Sequence, residues 1–310
     1  MNRIKPLYIW AGGKNKMLKK YQEQPGIPLT GYDTYCEPFF GGGAMMLWVY
    51  KNSPTVKRFV LNDVNSEIVG IYRAIRDSVT EFKTRMNTLS DQYLPLDRPD
   101  RKQFYYDLRE QYTQHWDQWS TVEESATLYF LMKTGFNGIW QVNQKSNGRF
   151  ATPSGLLDHR DRVYDEWNVD LWHEFLASVE IHSTDWRDCV DTVTGSVFWF
   201  MDPPYRDSFT QYGTEFGDDR HKELIEFCKQ KNDQGDWVFY CNRDAGDDFY
   251  DRLRGSLGIS RYPVTYTAGR RATEDSGKRS AKQAEEILLY SSALASDRIA
   301  VARPDLFEQG

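Results

Sequence analysis

The sequence predicts an α/β protein, in which an open sheet carries a mostly helical insertion. Short apolar runs typical of buried strands occur in two parts of the chain. The first part holds the strand 59–63, which begins Phe-Val-Leu, and the second holds 197–201 (Val-Phe-Trp-Phe-Met) and 237–241 (Trp-Val-Phe-Tyr-Cys). Between them lies a long region that does not alternate strand and helix. We therefore expect a discontinuous sheet domain formed by 1–75 and 178–292, an insertion at 76–177, and a tail at 293–310.

Composition excludes several classes of protein. The net charge of −6 over 310 residues gives no overall basic character, so any binding of nucleic acid must come from local clusters. The four cysteines are scattered and the five histidines are isolated, which predicts neither a disulfide framework nor a metal site. No signal segment and no run of about 18 apolar residues is present, so we expect a cytoplasmic protein without a membrane span.

Two glycine-rich turns near the start predict a small-molecule site. Gly13-Lys14 leads into a helix without the G-x-x-x-x-G-K-S/T spacing of a triphosphate loop, although its Lys can still contact a carboxylate. Residues 37–43 (Glu-Pro-Phe-Phe-Gly-Gly-Gly) join a strand to a helix, where backbone N–H groups approach a ligand closely. Asp63 ends the next strand, 59–63. At that position its carboxylate can accept hydrogen bonds from ribose hydroxyls, cap the N-terminus of the following helix, or do both.

The insertion is predicted to be helical and to end in a polar loop. Apolar residues recur at helical spacing over 67–88, a proline-bearing linker follows at 90–100, and helices resume at 101–114 and 122–134. The loop 134–155 is rich in Gly and Asn, with interleaved aromatic and basic residues. That composition suits contact with nucleic acid, and it equally fits a surface loop with a few anchoring aromatics.

Beyond the insertion, residues 156–180 are expected to form an amphipathic helix. A strand over 180–186 then ends in Asp185-Trp186, a pair that suits an adenine ring held by its edge and its face. Residues 206–218 lack periodicity and are expected to cover the site, and a helix is expected at 219–231.

The end of the chain predicts a strand pair, 259–266 with 285–290, around a basic segment. Five of the sixteen residues in 267–282 are Lys or Arg. This segment is either a solvated hairpin tip or a finger that contacts phosphates.

Residues 202–205 (Asp-Pro-Pro-Tyr) follow the apolar run 197–201 directly. Proline has no N–H group, so the strand ends there in a rigid turn, at the edge where open α/β sheets bind ligands. The turn offers a carboxylate, a carbonyl of fixed direction and a flat ring, which together suit a planar amine. On their own, these four residues also fit a turn that ends the strand and has no functional role.

Taken together, these motifs resemble the Dam family (class alpha) of DNA adenine N6-methyltransferases. The resemblance covers about residues 7–291, and the motifs occur in the family's order. They are 10–14, 37–43, 61–65, 135–138 with 148–155, 202–205, and the basic residues from 270 to 282. The resemblance implies a Rossmann-like sheet with an inserted target-recognition domain, S-adenosyl-L-methionine as cofactor, and a monomeric enzyme. It also implies methyl transfer to the exocyclic amine of adenine in double-stranded DNA after base flipping, without a metal.

The resemblance also implies roles for individual residues. The carboxylate of Asp202 and the carbonyl of Pro203 would accept the two amine hydrogens, while Tyr205 stacks on the base. The residues implied to bind the cofactor are Trp10, Lys14, Glu37, Phe39, Gly41, Gly43, Asp63, Asp185, Trp186 and Asp202. The residues implied to contact DNA are Lys133, Asn137, Trp140, Gln141, Lys145, Arg149, Arg270, Arg271, Lys278, Arg279 and Lys282.

The sequence departs from the family pattern where members read a guanine-flanked target. Ile9 and Gln141 stand where those members carry basic residues, and 156–158 (Leu-Leu-Asp) replaces a basic run. We therefore expect relaxed sequence specificity, as in a phage or prophage enzyme. The alternatives are methylation of cytosine N4 or of an RNA base, and a non-catalytic DNA-binding module with a decayed cofactor site. Cytosine enzymes more often carry Ser in place of Asp202, which disfavours the first.

Overall fold

The computed structural model describes residues 4–10, 13–138, 140–142, 146–155, 161–206, 216–266 and 282–295. Within these residues one sheet contains seven strands: β1 (Thr34–Glu37), β2 (Arg58–Asn62), β3 (Val179–His182), β4 (Val197–Met201), β5 (Trp237–Asp244), β6 (Gly258–Tyr266) and β7 (Lys282–Tyr290). The α-helices are α1 (Asn15–Glu23), α2 (Ala44–Asn52), α3 (Ser66–Asp77), α4 (Val79–Tyr93), α5 (Arg98–Gln114), α6 (Thr121–Thr134), α7 (Glu166–Leu176), α8 (Trp186–Val190), α9 (Asp218–Asp233) and α10 (Phe249–Leu253).

The strand order places a ligand site at the middle of the sheet. The order is β3-β2-β1-β4-β5-β7-β6, in which β1 to β5 are parallel and β7 runs antiparallel to both β5 and β6. The direction of winding reverses between β1 and β4. Because open α/β sheets bind ligands beyond the carboxyl ends of strands at such a reversal, the site is expected beside Glu37 and Met201. The predicted α/β fold is confirmed.

The central strands are apolar because both of their faces are covered. All five residues of β4 are buried. Phe198 and Phe200 join the core on one face of the sheet, while Val197, Trp199 and Met201 join the core on the other. This two-sided burial fixes the height at which β4 ends and therefore the position of the turn that follows.

The region predicted to be an insertion, 76–177, is built around α6, whose residues 125–132 are all buried. Its start is fixed by a capping box, in which the Ser120 hydroxyl accepts from the Glu123 N–H and the Glu123 carboxylate accepts from the Ser120 N–H. The predicted helices at 101–114 and 122–134 correspond to α5 and α6.

Three predicted boundaries differ from the structure. The linker is shorter than 90–100, because α4 continues to Tyr93 and Asp97 caps α5, with a proline in the first turn of that helix. Within the described part of 156–180, the helix spans only 166–176. The strand predicted over 180–186 ends at His182, since Asp185 already caps α8.

The first residues of the predicted tail, 293–295, are described, and they follow β7 in a short turn. After β7 a 3₁₀ turn covers Ser292–Ala295, and Leu294 is buried, so the first residues of the predicted tail contact the core. The predicted cover 206–218 and the basic segment 267–282 fall largely in 207–215 and 267–281, outside the described residues.

Candidate active site

Asp202 follows β4 directly, and its carboxylate forms an ion pair with Lys14. Lys14 Nζ lies 2.7 Å from Asp202 Oδ1, with side-chain exposures of 3% for the lysine and 19% for the aspartate. Burial raises the pKa of Asp202 to about 6, an effect that the charge of Lys14 opposes. Burial lowers the pKa of Lys14, but the combined attraction of Asp202, Tyr205, Glu286 and Cys241 outweighs burial and raises this pKa well above its usual value. The pair is therefore charged near neutral pH.

Tyr205 extends this cluster to a second buried acid. Its hydroxyl donates to Glu286 Oε1 at 2.9 Å, and Lys14 Nζ lies 3.5 Å from the same hydroxyl. Glu286 is 4% exposed on β7. Sequence analysis missed Glu286, although the period-two alternation of a strand predicts that either Glu285 or Glu286 faces inward.

Asn242 on β5 was also missed, and it holds the turn from the other side. It is fully buried, its Oδ1 accepts from the Arg206 N–H at 3.1 Å, and its Nδ2 donates to the Pro204 carbonyl at 3.4 Å. Arg206 in turn pairs with Asp218 at 2.7 Å and Asp247 at 2.6 Å. These contacts fix the backbone on the far side of Tyr205.

The glycine turn between β1 and α2 packs tightly against Trp10. Gly41 has φ 45° and Gly43 has φ 64°, conformations that favour glycine. A Cβ atom at Gly41 would lie 2.7 Å from Trp10 Nε1. The Tyr8 hydroxyl also donates to the Gly41 carbonyl at 3.0 Å. Trp10 thus acts as the packing surface that holds the turn.

Asp63 connects the end of β2 to this glycine turn. Its Oδ2 accepts from the Gly41 N–H at 3.0 Å and its Oδ1 from the Asn65 N–H at 2.9 Å. Burial raises the pKa of Asp63 to about 6, against the lowering effect of these two hydrogen bonds. The side chain that caps α3 is Asn65 rather than Asp63. Next to them, Val64 is 54% exposed, an apolar surface that the sequence analysis did not single out.

Glu37 ends β1 in the core. It is 2% exposed, and its Oε2 accepts from the Tyr35 hydroxyl at 2.7 Å and from the Met46 N–H at 3.2 Å. Burial raises the pKa of Glu37 well above its usual value. The neighbouring Phe39 packs edge-on against Phe216, with ring centroids 5.6 Å apart.

Asp185 and Trp186 occupy different environments. Asp185 caps α8 by accepting from the Arg187 N–H at 3.1 Å, and it pairs with Arg187 and Arg220, each at 3.3 Å. Trp186 is 5% exposed and packs edge-on against Phe227 in the core. Stacking of Trp186 on an adenine would require an open ring face, whereas the structure gives this ring a packing role.

Two of the residues predicted to contact DNA are engaged inside the protein. Trp140 is 3% exposed and packs between Trp10 and Phe150, with ring centroids 5.9 and 5.3 Å apart. Arg149 pairs with Glu67 at 3.2 Å and with Glu124. In this conformation both side chains pack within the protein and present little surface to a partner.

The other residues predicted to contact DNA have different surroundings. Lys133 Nζ donates to the Leu7 carbonyl at 3.2 Å. Asn137 is exposed at φ 52°, and Gln141 is partly exposed. Lys282 begins β7. The residues Lys145, Arg270, Arg271, Lys278 and Arg279 lie outside the described part of the chain.

The described ranges of the chain hold neither a candidate metal site nor a membrane-spanning helix. There, no group of three or more His, Cys, Asp or Glu residues is arranged to hold a metal ion. None of the helices described is long and apolar enough to cross a membrane.

Comparison with known proteins identifies the family. A profile of D12 class N6 adenine-specific DNA methyltransferases matches residues 10–253. The chain belongs to this family. It is therefore an enzyme that transfers a methyl group from S-adenosyl-L-methionine to adenine in DNA, as predicted. Methylation of cytosine or RNA and a decayed, non-catalytic site are set aside.

Several type II methyltransferases resemble the chain over most of its length. It is 29% identical to the type II methyltransferase M.MjaIII of Methanocaldococcus jannaschii, over 83% of this chain and 90% of that protein. It is 27% identical to M1.LlaDCHI of Lactococcus lactis subsp. cremoris, over 87% and 91%. It is 30% identical to M.CviBI of Paramecium bursaria Chlorella virus NC1A, over 73% and 79%. Among solved structures, an rRNA methyltransferase, aviRa of Streptomyces viridochromogenes, aligns over 90% of this chain and 86% of its own. Its TM-score is 0.35 at 8% identity, and no argument rests on it.

Proposed function

We propose that the turn at 202–205 receives the target adenine of a double-stranded DNA and that Asp202 is the acceptor for its amine. The observation that carries this proposal is the buried ion pair of Asp202 with Lys14, at 2.7 Å, beyond the carboxyl end of β4. A carboxylate kept charged at the ligand edge of a parallel sheet is a directed acceptor for N–H groups.

The chemistry requires such an acceptor because the adenine amine is a poor nucleophile. Its lone pair is delocalised into the ring. Acceptance of its two hydrogens by the Asp202 carboxylate and the Pro203 carbonyl favours tetrahedral geometry and directs the lone pair towards the methyl group. A carboxylate has about four lone-pair sites, so Asp202 can hold Lys14 and the amine together. Tyr205 supplies a ring face on which the base stacks, and alignment of the two reactants lowers the barrier further.

S-adenosyl-L-methionine supplies the methyl group from its sulfonium sulfur. The rest of the cofactor is the leaving group, in which this sulfur is a neutral thioether. The amine nitrogen, positively charged after it accepts the methyl group, then releases one proton to solvent. Below a pH of about 6 Asp202 becomes protonated and loses acceptor capacity, so activity is expected to fall on the acid side.

The residues around Asp63 fit the adenosine part of the cofactor. The two oxygens of Asp63 each accept one backbone N–H, which leaves lone pairs for ribose hydroxyls. Val64 offers an exposed apolar surface beside it, suited to the face of the adenine ring. Lys14 and Glu37 stand near the methionine end in this arrangement.

Access to the amine requires base flipping, since a duplex pairs and stacks the target at a cost of a few kcal/mol. The basic cluster at 270–282 and Lys145 are proposed to contact phosphates, which position the duplex without reading its sequence. The enzyme is proposed to act as a monomer.

The target sequence is proposed to be read weakly. Ile9 is 69% exposed and has no hydrogen-bond donor in its side chain, and Gln141 is partly exposed. A bidentate contact from arginine to guanine contributes about 1–3 kcal/mol of discrimination, which neither residue can supply. Mapping of N6-methyladenine on mixed-sequence DNA tests this point. Confinement of nearly all methylation to one four-base context would contradict relaxed specificity and make Gln141 the first residue to examine.

The role of Asp202 is tested by Asp202→Asn, which keeps an oxygen acceptor but removes the charge. Turnover, measured as N6-methyladenine by nucleoside mass spectrometry, is expected to fall by at least about 100-fold. Binding of S-adenosyl-L-methionine, measured by calorimetry, is expected to persist. The matched control is Asp219→Asn on α9, whose side chain is 96% exposed and which should retain full activity. Near-normal turnover of the Asp202 variant would remove this residue from the mechanism.

A further inference from the structure

We propose that Glu286 is a positioning residue for methyl transfer, which orients Tyr205 and shares the positive charge of Lys14 with Asp202. This proposal rests on the role of Asp202 given above. Glu286 itself lies one contact away from the residues that receive the base, and it acts through Tyr205 and Lys14.

The geometry joins four side chains, of which Lys14 and Glu286 are buried and Asp202 and Tyr205 partly exposed, in one chain of contacts. Glu286 Oε1 accepts from the Tyr205 hydroxyl at 2.9 Å, Lys14 Nζ lies 3.5 Å from that hydroxyl, and the same Nζ lies 2.7 Å from Asp202 Oδ1. Lys14 Nζ also lies 5.2 Å from the centroid of the Tyr205 ring, and the Arg243 guanidinium lies 5.9 Å from it. The tyrosine is thus held at its hydroxyl by an acid and near its ring by two cations.

The sheet determines which side chains reach Tyr205. Glu286 on β7 pairs with Arg243 on β5, so both side chains point to the same face. Asn242 and Glu285 point to the opposite face. The structure therefore provides an exposed acid, Glu285, directly beside the buried one.

The charge of Glu286 is not needed to satisfy the tyrosine hydroxyl. A glutamine oxygen would accept the same hydrogen bond without the free-energy cost of burying a second carboxylate. The acid instead gives the buried ammonium of Lys14 two anions to interact with, which weakens the hold of Lys14 on Asp202. A less tightly held Asp202 is more available to the incoming amine.

The charges that face Asp202 support this interpretation. Burial is the main cause of its raised pKa, Lys14 lowers that pKa and Glu286 raises it. Tyr21 of α1 and Cys241 of β5 also face Asp202, and burial raises the pKa of both, so they stay neutral. Glu37 of β1 faces it as well, with a pKa that burial raises well above its usual value.

Two conservative variants separate the charge of Glu286 from its hydrogen bond. Glu286→Gln keeps the acceptor for Tyr205 and removes the charge, whereas Glu286→Asp keeps the charge and withdraws the acceptor by one methylene. Glu285→Gln is the matched control, because it removes the same charge from the same strand on the exposed side. The measurements are kcat and kcat/KM for adenine methylation of DNA between pH 5 and 9.

In Glu286→Gln the acid limb of kcat/KM is expected to move to lower pH by about half a unit or more, because a like charge near Asp202 is lost. Its kcat on the pH plateau should fall as well, because Lys14 then holds Asp202 more tightly and Asp202 is less available to the amine. In Glu286→Asp the limb should stay in place and the plateau kcat should fall about tenfold or more, because Tyr205 is misplaced. The Glu285 control should match wild type in both respects.

If the acid limb of kcat/KM in Glu286→Gln coincides with the limbs of wild type and of the Glu285 control, the electrostatic part of the proposal is overturned. An unchanged plateau kcat in Glu286→Asp would overturn the positioning part. Failure of the underlying function gives a different result. In that case the wild type makes no N6-methyladenine, or Asp202→Asn keeps its turnover, whatever happens at Glu286.

Discussion

Replacement of Asp63 by asparagine is expected to change stability in a pH-dependent way and to weaken cofactor binding. In the folded protein burial raises the pKa of Asp63 to about 6, from 3.8 in the absence of that environment. Between pH 3.8 and a pH of about 6, the folded state therefore binds more protons than the unfolded state. The free energy of unfolding therefore falls as the pH rises from about 4 to about 6, and the loss is complete above that window.

The size of the effect follows from this shift. Two pKa units correspond to about 3 kcal/mol, an upper value because the carboxylate is partly exposed. Asparagine avoids this cost but has only one oxygen, so the N–H of Gly41 or of Asn65 loses its acceptor, which costs about 1–3 kcal/mol. The Asp63→Asn variant is thus expected to be less stable than wild type at pH 4 and equal or more stable at pH 8.

Urea unfolding at the two pH values measures this difference, with Asp91→Asn on the exposed side of α4 as control. Calorimetry at pH 8 measures the affinity for S-adenosyl-L-methionine, which should fall by about 10-fold to 100-fold when charged hydrogen bonds to the ribose are lost. If Asp63→Asn and wild type differ in free energy of unfolding by the same amount at both pH values, Asp63 does not have the raised pKa of a buried carboxylate. An unchanged affinity would refute the ribose contact.

Two further predictions concern basic residues. Arg149→Ala is expected to lower the free energy of unfolding by about 3 kcal/mol, because it leaves Glu67 and Glu124 without their cation. Urea titration measures this, and a loss near zero would mean that the network does not hold the loop. Replacement of Arg270 and Arg271 by alanine is expected to flatten the dependence of log K for DNA on log salt by about one per lost phosphate contact. A slope equal to that of wild type would identify the cluster as a solvated tip.

The features predicted well from sequence have strong local causes. The apolar run 197–201 ends at a proline, so both the strand and its end can be read without knowledge of any other element. The glycine turn at 41–43 and the acid at the end of β2 are similarly local. The alternation of strands and helices on either side of a helical region was enough to predict the α/β class.

The features that were missed depend on pairing between distant segments. Glu286 reaches Tyr205 only because β7 pairs with β5, and Asn242 reaches the turn only because β5 lies beside β4. Aromatic residues were ambiguous for a related reason. Tryptophan is a residue type suited to stacking on a base, but packing by distant neighbours decides whether the rings of Trp140 and Trp186 are open or buried.

The position of β7 between β5 and β6 affects how the enzyme is made. On the ribosome, the residues of β6 emerge before those of β7, yet among the described strands β6 pairs only with β7. Until residues 282–290 are synthesised, β6 has no partner, β5 is an open edge, and Tyr205 lacks the acid that holds it. The sheet beside Tyr205 is therefore completed only after residues 282–290 have been synthesised, when β7 enters the gap between two strands made before it.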